Sequence, residues 1–86
     1  MTQKFRTAIE ARNVADVVLK QLRECRYNPD LMLYFRNIEK MIGNLSALEV
    51  QARQSHKYHK VEDYIKEIEQ AFDYLEKMIL ISKLTE

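Results

Sequence analysis

The sequence predicts an all-α fold, an antiparallel up-down-up bundle of three helices, and three observations carry that prediction. Turn formers are scarce: 86 residues hold one Gly and one Pro, where average usage would supply roughly six and four. β-sandwiches, barrels and glycine-rich nucleotide loops need more corners than this chain can make. Apolar residues, 47% of the total, recur at alternating three- and four-residue steps, which is the period of a helix face. Two interruptions in that period divide the chain into three segments of similar length, and short connections make neighbouring helices antiparallel. The length admits one domain, residues 1–86, with helices expected at about 3–26, 29–54 and 60–84, each roughly 36 to 39 Å long.

The first helix is read from Ala8, Ala11, Ala15, Val18, Leu22 and Cys25. Its end is marked by Tyr27-Asn28-Pro29-Asp30, because a residue before proline avoids helical torsions. In the same four residues Asn28 can cap a new helix, Pro29 suits its first position and Asp30 favours its positive end. The second helix follows Leu31, Tyr34, Ile38, Met41, Leu45, Leu48 and Ala52, with Phe35 and Ile42 widening the stripe. Gly43 could end it, with Ser46-Ala47-Leu48-Glu49 as a new capping box. The apolar phase passes through Gly43 without a slip, so continuity is the reading adopted. The third helix follows Val61, Tyr64, Ile65, Ile68, Ala71, Phe72, Leu75, Met78 and Ile79. Its phase differs from that of the second, which places a corner in Gln54–His59 although Gly and Pro are both missing there. Acidic residues stand four before basic ones at Asp16 and Lys20, Glu49 and Arg53, Glu62 and Lys66, and Asp73 and Lys77, each pair adding a few tenths of a kcal/mol on an exposed face.

Composition excludes several classes. One Cys rules out an internal disulfide framework or a multi-cysteine zinc site and fits a reducing, cytoplasmic setting. Cys25 falls on the predicted seam, where a small buried hydrophobe is expected rather than a reactive thiol. No uncharged apolar run of about 18 residues is present, and the opening Met1-Thr2-Gln3-Lys4-Phe5-Arg6 lacks a secretory signal's apolar core. A chain of this size sits where one core is only marginally stabilising, which brings self-association into view.

The apolar content exceeds what a three-helix bundle can hide. Leu31-Met32-Leu33-Tyr34-Phe35 and Met78-Ile79-Leu80-Ile81, followed by Leu84, all fall at one pole, and each helix buries little more than one broad stripe. Val14, Val17 and Leu19 interrupt the polar face of the first helix in the same way. Scattered surface hydrophobes are normal, whereas a contiguous patch marks an association site. At about 25 cal/mol per Å², some 400 Å² of apolar burial would contribute roughly 10 kcal/mol before association costs. The expected interface comprises Leu31, Met32, Leu33, Phe35, Met78, Leu80, Ile81 and Leu84, and the expected assembly is a helical homodimer or a stable complex with another protein.

Charge is uneven: residues 1–28 carry +3, residues 29–60 +2 and residues 61–86 −4. A basic first helix lying beside an acidic third accounts for this within one molecule. The alternative is a nucleic-acid-associated regulator whose Arg6, Arg12, Lys20, Arg23 and Arg26 contact phosphates.

Chemistry is hardest to find. Arg53-Gln54-Ser55-His56-Lys57-Tyr58-His59 resembles, over those seven residues, the motif of HEPN-type ribonucleases, in which Arg and His polarise phosphate and move protons. The same composition describes a solvated corner, which is the reading adopted. His56 and His59, three apart, could join Glu62 or Asp63 on a metal, but a zinc site wants four ligands or three and a water, and Cys25 belongs to the opposite pole. Phe5-Arg6-Thr7-Ala8-Ile9-Glu10 with Arg23 resembles the first helix of the all-helical chorismate mutases. It departs from that family where Pro29 ends the helix and Tyr34 stands in place of the catalytic lysine. No catalytic residue, metal or cofactor is therefore expected, no small-molecule substrate is indicated, and the sequence reads as an interaction module: an adaptor, small chaperone, inhibitor or complex subunit.

Overall fold

The structure, a computed structural model, describes residues 4–26 and 28–85. It contains three helices, α1 (Ala8–Glu24), α2 (Pro29–Ser55) and α3 (His59–Thr85), and no strand among the described residues. The molecule measures 49 × 24 × 17 Å. No helix among the described residues is long and apolar enough to cross a membrane.

Local chemistry sets each boundary. α1 begins at residue 8 rather than near residue 3 because Thr7 caps it, its hydroxyl accepting the Glu10 N–H at 3.2 Å. The Glu10 carboxylate turns back to accept the Arg6 N–H at 2.8 Å, so Thr7-Ala8-Ile9-Glu10 acts as a capping box displaced by one residue. Cys25, with extended torsions, ends the helix. At the start of α2 the Asn28 side chain accepts from the N–H groups of Asp30 at 2.9 Å and Leu31 at 3.4 Å, and Pro29 opens the first turn. α2 then runs without interruption through Gly43. It ends at His56, which takes the left-handed conformation at φ 57° and closes the last turn through its N–H on Ala52 O at 2.7 Å. A histidine thus stands where glycine is usual.

The core is one apolar cluster drawn from all three helices. α1 contributes Ala8, Ala11, Ala15, Val18 and Leu22, α2 Leu31, Phe35, Ile38, Ile42, Leu45 and Ala52, and α3 Val61, Ile65, Ile68, Phe72, Leu75 and Ile79, with Cys25 buried at the first corner. No polar or charged residue among those described is buried. α2 packs along both neighbours, whereas α1 and α3 meet over a short stretch only. The small alanines of α1 leave room there, and residues 4–7 occupy it as a strap running up α3. Phe5, 1% exposed, sets its ring edge-on to Phe72 with centroids 6.0 Å apart and planes at 80°. Burial of such a ring is worth about 1.5 to 3 kcal/mol, and the aromatic pair about 1 kcal/mol more.

Polar ties at the rim fix the helices in register. The Glu49 carboxylate of α2 accepts the Ala8 N–H at 3.3 to 3.4 Å, placing negative charge at the positive end of α1. The Lys4 ammonium bridges Asp73 at 2.9 Å and Glu76 at 3.0 Å on α3. Lys83 reaches Glu24 at 3.7 Å, and Asn44 donates to the Tyr64 hydroxyl at 3.2 Å.

Candidate functional site

α1 spans 17 residues while α2 and α3 span 27 each, about 25 Å against 40 Å. The longer helices therefore overhang the shorter one, and the overhangs differ in chemistry.

At one pole the overhang is apolar. Tyr34 and Tyr74 lie side by side with ring centroids 5.1 Å apart. In antiparallel helices, five residues back from Tyr34 stands level with five residues on from Tyr74, so Pro29, the first residue of α2, is level with Ile79. The Cys25 thiol, just past α1, points at the Ile79 carbonyl oxygen at 4.0 Å and donates to Gln21 O at 3.3 Å. Residues 80–85 of α3 thus run past the start of α2 and flank only the end of α1, where Leu80 and Lys83 share a groove with Gln21. Within them Leu80 is 58%, Ile81 46% and Leu84 78% exposed. Leu33, 62% exposed, looks outward from the first turns of α2. The other expected interface residues lie deeper. Leu31 and Phe35 are core residues at 7% and 3% exposure and are corrected from surface to interior: their positions on α2 point at α1 and α3, and Phe35 lines the α1–α2 groove. Met32 and Met78 are half-buried and packed against the core.

A second row of half-buried side chains adjoins this end. Tyr34, Met41 and Leu48 recur every seven residues on α2, as do Tyr64, Ala71 and Met78 on α3. The Tyr34–Tyr74 contact and the Asn44–Tyr64 hydrogen bond show that the two rows meet along the α2–α3 seam, on the side away from α1.

At the opposite pole the overhang is basic. Every residue from Arg53 to Lys60 is exposed, and the strap brings Arg6 alongside. Arg6, Glu49, Arg53, Tyr58 and Val61 line a groove of about 230 Å³, and Arg6, Tyr58, Val61, Glu62 and Ile65 line an adjoining one of about 410 Å³.

The five basic residues of the first segment do not form one face. Arg6 sits at the hairpin pole, whereas Arg23 and Arg26 stand at the other end of α1. Arg12 opens onto a groove shared with Asp16 and Glu39, Arg23 onto one with Leu22, Cys25, Asn28 and Met32, and Lys20 is exposed to solvent. His56 closes α2 and His59 opens α3, and no group of three or more His, Cys, Asp or Glu among the described residues is placed to hold a metal ion.

Burial works against the charge of Lys4, but its hydrogen bonds to Asp73 and Glu76 and the nearby negative charges prevail and raise its pKa above the ordinary 10.5. The residues overlooked in the sequence are those of the strap and its ties: Phe5, Thr7, Glu10 and Glu49. The Thr-x-x-Glu spacing at 7–10, immediately before the apolar period, is the signal that marks the true start of α1. Compared with models of protein families, with curated proteins and with solved structures, the chain matches none.

Proposed function

We propose that this protein is a helical interaction module that self-associates, and docks a protein partner, through the apolar end of α3, and that its role is interaction rather than catalysis. The observation that carries the reading is the run of Leu80, Ile81 and Leu84, all exposed, on a helix that continues past the start of α2 and flanks only the end of α1. A helix end with little tertiary support gains little from helix propensity alone, so three large aliphatic side chains exposed there are best accounted for by a covering surface. The adjoining seam of Tyr34, Tyr74 and Met78 extends this surface along the bundle.

The occupant proposed is a second copy. Two α3 ends packed against one another would each bury the other's Leu80, Ile81 and Leu84, as the two-fold symmetry of a homodimer requires. Sedimentation velocity across low to high micromolar concentration tests this. The wild-type chain is expected to move from monomer to dimer, and L80S/I81S/L84S to remain monomeric with an unchanged helical circular dichroism spectrum. A wild-type chain that stays monomeric throughout and binds no hydrophobic dye overturns the proposal.

A further inference from the structure

The tip of the α2–α3 hairpin is basic. From Gln51 to Val61 the chain contains no acidic residue, and Arg53, Lys57 and Lys60 carry positive charge there beside His56 and His59. Arg6 adds a fourth fixed cation by way of the strap, facing Arg53 and Tyr58 across one groove. Lys4 pairs with Asp73 and Glu76, and Lys83 with Glu24. Among the described residues none of Arg6, Arg53, Lys57 and Lys60 has an ion pair within 4 Å. Carboxylates stand at the margins of this surface: Glu49 lines the groove with Arg6 and Arg53 and accepts the Ala8 N–H, Glu10 accepts the Arg6 N–H, and Glu62 lines the adjoining groove, so the excess of positive charge is that of residues 53–60. Between the cations stands Tyr58, 51% exposed.

We propose that the hairpin tip binds single-stranded nucleic acid, with Arg6, Arg53, Lys57 and Lys60 holding successive phosphates and the Tyr58 ring stacking on a base. Cations flanking an exposed aromatic ring are the elements of sequence-tolerant single-strand recognition, and a duplex would hide the base faces that the ring needs. An anionic membrane surface would engage the same cations, but residues 53–60 contain no aliphatic side chain to enter the acyl boundary, which interfacial segments use. This site lies at the opposite pole from the self-association surface and does not depend on it.

Fluorescence anisotropy with the full chain and a labelled oligothymidylate of about 20 nucleotides tests the proposal. Binding is expected at about 50 mM salt and, for four phosphate contacts, should weaken about 50-fold on going to about 200 mM. R53E/K57E is expected to lose affinity about tenfold or more, and Tyr58→Ala about tenfold, with Tyr58→Phe retaining wild-type binding. R12E/R23E, at the same net charge as R53E/K57E, is expected to stay within about twofold because those residues lie outside the groove. L80S/I81S/L84S is expected to bind as wild type, so failure of the self-association reading leaves this result standing. Three outcomes overturn the proposal: no binding at low salt, equal losses in the two arginine-containing charge-reversal variants, or capture of phosphatidylglycerol-containing vesicles without oligonucleotide binding.

Discussion

Gly43 lies exposed in the middle of α2, and a Cβ built on it meets nothing within 4 Å. Its torsions are helical, so glycine here brings only excess freedom in the unfolded chain and no compensating contact. Gly43→Ala is therefore expected to stabilise the protein by about 1 kcal/mol, seen as a rise of roughly 4 to 8 °C in thermal midpoint. His56 is the converse: a side chain in the left-handed region, with no glycine to mark the corner. That difference explains what could be read at this scale. Gly43 could be judged from the unbroken phase of its neighbours, which is local information. The second corner could be placed only by a change of phase, and nothing in the residue type of His56 announces its conformation. Lys4 adds a pH signature. A lysine whose pKa is raised on folding contributes stability that is complete below its unfolded value and is lost as pH rises through the folded one. The tie from strap to α3 is therefore expected to hold at neutral pH and weaken above about 10.5. Denaturant titrations of wild type and Lys4→Met across that range should converge at the alkaline end. The effect is small, since Lys4 and both carboxylates are substantially exposed.

At the scale of elements the three helices were legible, because each carries a long apolar period and α2 has an Asn-Pro-Asp start that satisfies its first N–H groups. The start of α1 was not. Phe5 is apolar and lies close to the period of α1, so periodicity alone absorbs it into the helix, whereas the Thr7 cap turns the chain back and sends the ring to α3. Its contact with Phe72 is 67 residues away in sequence, and such a pairing leaves no trace in local pattern. The consequence is measurable. Phe5→Ala removes a fully buried ring from the gap between α1 and α3 and is expected to destabilise the fold by about 3 to 5 kcal/mol in urea unfolding. A chain of this length has only about 4 to 13 kcal/mol in total. A change below about 1 kcal/mol would mean that the strap is dispensable to the bundle.

For the whole molecule, Leu33, Leu80, Ile81 and Leu84 of the expected apolar pole are exposed, as are Ile9, Val17 and Val50 elsewhere, whereas the three-helix geometry turns Leu31 and Phe35 inward. The alternative reading, a basic surface on the first helix, meets residues that the structure divides between two ends and between grooves. Convergence of Arg6 with Arg53 and Tyr58 depends on the strap and could not be read from spacing. What remains is a division of labour along the length of the molecule. The overhangs arise because α1 spans 17 residues against 27 in each neighbour, and the residues proposed to bind at each end lie outside the core. The two surfaces can therefore vary independently of each other and of the packing between them. Substitutions at Leu80, Ile81 or Leu84 can change what one end joins, and substitutions in residues 53–60 what the other end holds, while the scaffold that separates them keeps its shape.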